Sequence, residues 1–105
     1  MKMLTRRADE SILIGERLKI TFTDVEKTGV RLMIDGELIG GPDDGMPLRE
    51  ARELAVGSEL RLGSLVTITI AEVKGKLARV AVVAPAHVAV KRKELVDPSG
   101  PTEER

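Results

Sequence analysis

Apolar and polar residues alternate with a period of two along much of the chain. Leu18, Ile20 and Phe22 alternate with Lys19, Thr21 and Thr23. Val30, Leu32 and Ile34 alternate with Arg31, Met33 and Asp35, and Val66, Ile68 and Ile70 with Thr67 and Thr69. Such alternation in runs rich in Val, Ile and Thr predicts half-buried antiparallel strands. Glu26-Lys27-Thr28-Gly29 and Lys74-Gly75-Lys76 supply tight turns between them. The expected fold class is all-β, a small antiparallel sandwich or barrel.

The pattern also repeats. Aligning Ile12–Ile34 with Leu60–Val82, an offset of 48 residues, pairs Gly15 with Gly63, Ile20 with Ile68, Val25 with Val73 and Arg31 with Arg79. A matched glycine and a matched arginine at equal spacing point to an internal duplication. Each copy reads as strand, glycine turn, long strand, turn, strand. Arg31 and Arg79 recur in both and read as scaffold residues on exposed faces. Between the copies, Asp35–Gly45 has the Gly, Pro and Asp content of a loop. Pro47–Val56 then places Leu48, Ala51, Leu54 and Ala55 at helical spacing, with proline near its start and Gly57 beyond its end. This predicts one short helix. The expected organisation is a single domain: copy one with the first strand at 1–35, an acidic linker with the helix at 36–57, copy two with the last strand at 58–96, and a disordered tail at 97–105.

Composition narrows the function. A chain of 105 residues buries only about 60–65% of its unfolded surface, so its strands are expected to lean on a second copy, internal or in a partner. No cysteine is present, which excludes disulfides, thiolate metal sites and a cysteine nucleophile. With His87 the only histidine, zinc would need carboxylate or backbone ligands. No metal and no cofactor is expected. Phe22 is the only aromatic residue, which excludes a stacking platform for single-stranded nucleic acid. Hydrolase, zinc-protease and phosphate-loop motifs are all missing. His87 reads as an edge-strand histidine, and Asp43-Asp44 as a solvated turn. An enzyme is not expected. The N-terminus lacks an apolar leader core, and Leu77–Val90 is interrupted by Arg79, Pro85 and His87. The expectation is therefore a cytoplasmic protein without membrane contact.

Charge is balanced overall, at seventeen Lys and Arg against seventeen Asp and Glu. Its distribution is uneven. Lys2, Arg6 and Arg7 cluster at the front and Lys91, Arg92 and Lys93 near the back, while Asp35–Glu59 holds seven acids and two arginines. A polyanion responds to the field within roughly a Debye length, so the balance permits a local basic patch.

Leu4-Thr5-Arg6-Arg7 followed by Glu10-Ser11 and Ile14-Gly15, the alternating run Leu65–Val73, and Ala84-Pro85 before Val88-x-Val90-x-Arg92 with Glu94-Leu95 resemble the carbon storage regulator family (CsrA/RsmA type). Its members are small RNA-binding translational regulators. The resemblance implies a sandwich of two interleaved strand sets. RNA with a GGA core in a hairpin loop would bind where the first strand of one set meets the last strand of the other. Carried over by position, it implicates Leu4, Thr5, Arg6 and Arg7, and Val88, Val90 and Arg92; Lys91, which makes the last strand more basic than the family's, is expected to bind RNA beside them. Edge-strand amides and arginine forks can read base edges and phosphates without aromatic stacking. The partner implied is an mRNA or small RNA with GGA motifs.

Family members are shorter and carry one strand set. Here Ala55-Val56-Gly57 stands before the second copy in place of an LTRR strand, Gly36-Glu37-Leu38 replaces the Ala-Pro turn of the first, and Asp9 occupies a position where the family often has glycine. The simplest expectation is a fused pseudo-dimer with one composite RNA site in a monomer. The competing arrangement is a homodimer that keeps two sites. In a different class stands a protein-interaction module that titrates a CsrA-type regulator or its antagonist.

Overall fold

A computed structural model of the chain describes residues 1–93. The expected tail at 97–105 lies outside the described residues. The chain forms β1 (Lys2–Arg6), β2 (Ser11–Ile14), β3 (Leu18–Glu26), β4 (Gly29–Glu37), β5 (Pro47–Ala55), β6 (Glu59–Leu62), β7 (Val66–Lys74), β8 (Leu77–Val83) and β9 (Val90–Lys93), with the alternating apolar runs falling on β3, β4 and β7 as expected. Among the described residues they make a four-stranded sheet, β1-β8-β7-β6, and a five-stranded sheet, β5-β4-β3-β2-β9. All the described pairings are antiparallel. Ile20, Phe22, Leu32 and Ile34 from one sheet and Ile68, Ile70, Val80 and Val82 from the other are fully buried in the core.

The two strand sets share one register. Ser11 opposes Thr21 as Glu59 opposes Thr69, and the β3–β4 slip at Phe22/Asp24 recurs in β7–β8 at Ile70/Glu72. The turn entering each set matches as well. Asp9 N–H donates to the Phe22 carbonyl at 2.6 Å, and Gly57 N–H to the Ile70 carbonyl at 2.7 Å. This turn needs a left-handed residue, with φ of 72° at Asp9 and 89° at Gly57. Asp tolerates that conformation better than most side chains. The sets interleave: β1 pairs with β8 of the later set and β9 with β2 of the earlier one.

The helix expected at Pro47–Val56 does not form. Residues 47–55 are β5, paired to β4 without a break from Gly29↔Ala55 to Glu37↔Pro47. The segment has a second periodicity that helical spacing masked. Leu48, Glu50, Arg52 and Leu54 share one face, with Leu54 buried and Leu48 half-buried, while Ala51 and Ala55 are exposed. Without β5 the outer edge of β4 would have no ladder. By register β5 also stands to β4 as β1 stands to β8: Glu53 opposes Arg31 as Thr5 opposes Arg79. The second set therefore has a first strand, with the LTRR residues replaced by Arg52, Glu53, Leu54 and Ala55. The loop before it is also shorter than expected, because β4 runs to Glu37.

This loop is tied down electrostatically. Arg17 Nη1 pairs with Asp44 Oδ1 at 3.2 Å and its Nε with Glu37 at 3.4 Å, while Gly40 N–H donates to Asp44 Oδ1 at 2.7 Å. The Gly40 amide, then Arg17, hold the Asp44 carboxyl below its ordinary 3.8. A depressed folded-state value means that the stabilisation is present above the unfolded value and lost as pH falls through the folded one. Protection of the Gly40 amide, its exchange rate relative to that of an unstructured amide at the same pH, should hold from neutral pH down to about 4, the ordinary carboxylate range, and be lost below it. Asp44→Asn should bring the loss of protection to neutral pH. Equal exchange in both proteins would remove the assigned role.

Candidate functional site

β1 and β9 are edge strands of different sheets, and the sandwich brings them side by side. Lys2 Nζ donates to the Val90 carbonyl at 3.0 Å, across 88 positions of sequence. Both front and back clusters therefore contribute to one edge of the molecule. In the ladders Lys2–Arg6 run along Val82–Ala78, and Arg92 lies opposite Ile12 in the β9–β2 pairing.

Alternation along β1 divides its side chains. Thr5 and Arg7 are exposed, whereas Leu4 and Arg6 point inward and are 4% and 3% exposed. Arg6 is held by short contacts: its Nε donates to the Thr5 carbonyl at 2.7 Å and its Nη1 to the Ser11 carbonyl at 3.2 Å. Its Nη2 lies 3.6 Å from Glu10 Oε1. The same carboxylate oxygen accepts the Arg7 N–H at 2.9 Å. Ser11 and Glu10 thus hold the Arg6 guanidinium inward, and Glu10 also holds the Arg7 backbone beside it. Their role was not foreseen from the sequence, where Glu10-Ser11 served only as part of a motif. The inward turn of Arg6 was readable in principle, since it shares its parity with Leu4.

From the other strand, Val88 and Val90 are half-buried against the core, and Lys91 is exposed with its Nζ 3.7 Å from Glu16 Oε2. His87 lies in the turn between β8 and β9, not in a strand, and is exposed. That turn is closed by the Val88 N–H donating to the Pro85 carbonyl at 2.9 Å, which delivers β9 to β2. Proline with its fixed φ favours such a chain reversal.

The opposite edge carries different chemistry. On β5, Glu53 pairs with Arg31 at 2.8 Å, and Glu50 with Arg52 at 2.6 Å. The Glu53 bond, then its charge, raises the Arg31 guanidinium above its usual value. Arg79 pairs with Glu72 at 3.4 Å. Both recurring arginines are exposed and ion-paired on the sheet faces, as expected of scaffold residues. Cations are thus concentrated at the β1–β9 edge, and balanced charge lies at β5. No helix among the described residues is long and apolar enough to cross a membrane.

The sequence model of the global regulator protein family CsrA matches residues 1–37 and 55–99. The matched segments fall on the two strand sets, and residues 38–54, which carry the loop and most of β5, lie outside the match. No curated protein and no solved structure matches the chain.

Proposed function

Because the chain belongs to the CsrA family of global regulators, a family of RNA-binding regulators, we propose that it is a translational regulator that binds GGA-containing hairpin loops along the β1–β9 edge. The observation that carries this reading is the Lys2–Val90 bridge, which sets the two basic ends of the chain beside each other. Thr5, Arg7, Lys91 and Arg92 meet the RNA. Leu4, Arg6, Val88 and Val90 shape the edge, and their strands offer peptide groups to the bases. The protein acts in the cytoplasm and performs no catalysis.

One chain does the work of two family chains. Its strand sets arose by duplication, and only one β1–β9 edge is basic, so each chain binds one RNA. At low concentration the protein should remain a folded monomer; an obligate dimer would overturn the fused arrangement.

A GGA hairpin should bind far more tightly than a scrambled hairpin at about 150 mM salt, near physiological ionic strength. Equal, weak binding of the two would overturn the function. Cations that neutralise phosphate release counterions, at about 0.7 per contact for single strands. With Arg7, Lys91 and Arg92 engaged, log affinity should fall with log salt at a slope of about −2. A flat response would exclude phosphate contact at this edge. The acid-rich stretch Asp35–Glu59 favours a second reading, a module that titrates a CsrA-type protein or its antagonist. A pull-down recovering protein and no RNA would select it.

A further inference from the structure

β5 ends the five-stranded sheet, and among the described residues nothing pairs with its outer side. Its ladder direction is fixed at both ends. Leu38 N–H donates to the Met46 carbonyl, and Val56 N–H to the Thr28 carbonyl. Peptide groups of even-numbered residues therefore face β4, and the pairing has no register slip. Arg49, Ala51 and Glu53 direct theirs outward. An uncovered edge nine residues long is a template for another strand.

We propose that β5 pairs antiparallel with β5 of a second copy, with Ala51 opposite Ala51 on the twofold axis. The segment is self-complementary in that register alone. Arg49 meets Glu53, Glu50 meets Arg52, and Leu48 meets Leu54. Just beyond the strand, Met46 meets Val56, both exposed large apolar side chains, at 50% and 39%. A shift by two residues in one direction sets Glu50 against Glu50, and in the other Arg52 against Arg52. A shift by one sets outward peptide groups against inward ones. The favoured register leaves no like charges opposed.

The outer face extends the match beyond the two edge strands. Arg31 of β4 lies opposite Glu53, and Asp35 opposite Arg49. Across the dimer the order becomes Arg31, Glu53, Arg49, Asp35, alternating in sign over four strands. Opposite charges paired across strands stabilise a sheet and like charges oppose it. The basic ends of β1 and β9 lack this symmetry, which leaves them open. An isologous contact closes at two copies and builds no fibre. The dimer carries two basic edges, each remote from the contact.

Sedimentation equilibrium on the full chain tests the pairing. Wild type should pass reversibly from monomer to dimer as concentration rises to tens of micromolar. Arg52→Glu places Glu against Glu50 twice and should weaken the dimer by about tenfold or more. Glu50→Arg/Arg52→Glu restores opposite charges and should restore the dimer. Both side chains are partly exposed, at 38% and 49%, so the variants fold, and RNA affinity per chain should match wild type in each. A monomer at every concentration, a dimer indifferent to Arg52→Glu, or one that the double variant fails to restore would each overturn the proposal.

Discussion

Phe22→Ala should lower the unfolding free energy by about 3–5 kcal/mol, the usual cost of emptying a buried aromatic site. Phe22 is completely buried in β3 and is the largest fully buried side chain of the core. It sits opposite Leu32 where the β3–β4 register slips, and both its peptide groups are engaged by the Asp9–Glu10 turn. The backbone there is held, so the site has little freedom to collapse around a smaller side chain. Small domains are stable by only about 5–15 kcal/mol in total, so the variant should lie near the limit of folding. The equivalent position in the other strand set is Ile70, with the same slip and the same turn bonds. Phe22→Leu should therefore be much milder than Phe22→Ala. Urea unfolding of the three proteins checks the series. A loss below about 1 kcal/mol for alanine would mean that the two sheets do not close on this residue.

How much of this architecture could be read from the sequence differs from strand to strand. β3, β4 and β7 were legible because their inward positions up to the register slips are Val, Ile, Leu and Phe in alternation, which suits a two-faced strand, and β8 was legible as the repeat of β4. β5 was not. Leu48 and Leu54 are six positions apart and suit a strand, but Ala51 and Ala55 complete a helical stripe, and alanine is the best helix former. The choice between them depends on β4, whose open edge is paired along its whole length, from Glu37↔Pro47 to Gly29↔Ala55. That demand is nonlocal, and no window centred on β5 contains it. The basic edge was legible only through the family resemblance to the terminal motifs. Charge counting gave zero, and nothing local says that β1 and β9 meet. What joins them is the interleaving, through the β1–β8 and β9–β2 ladders.

Interleaving also divides the arginines by what their loss should do, and here the largest functional effect is expected. Arg92→Ala should weaken binding of a GGA hairpin by about 1.5–3 kcal/mol, the loss typical of a hydrogen bond to a charged group. That is roughly a tenfold to hundredfold change in Kd. A guanidinium presents a planar fork that can engage guanine O6 and N7 or a phosphate, and lysine, a point charge, cannot reproduce it. Arg92→Lys should therefore keep the salt slope and still lose most of the preference for GGA over the scrambled loop. Arg6→Ala should act differently. Its guanidinium is 3% exposed and donates to the Thr5 and Ser11 carbonyls. Removing it strips a buried carbonyl of a charged donor and should lower stability before it touches recognition. Unfolding and gel-shift measurements on both variants separate the two roles. If Arg92→Ala binds RNA as wild type does while remaining folded, the β1–β9 edge is not where the hairpin is read.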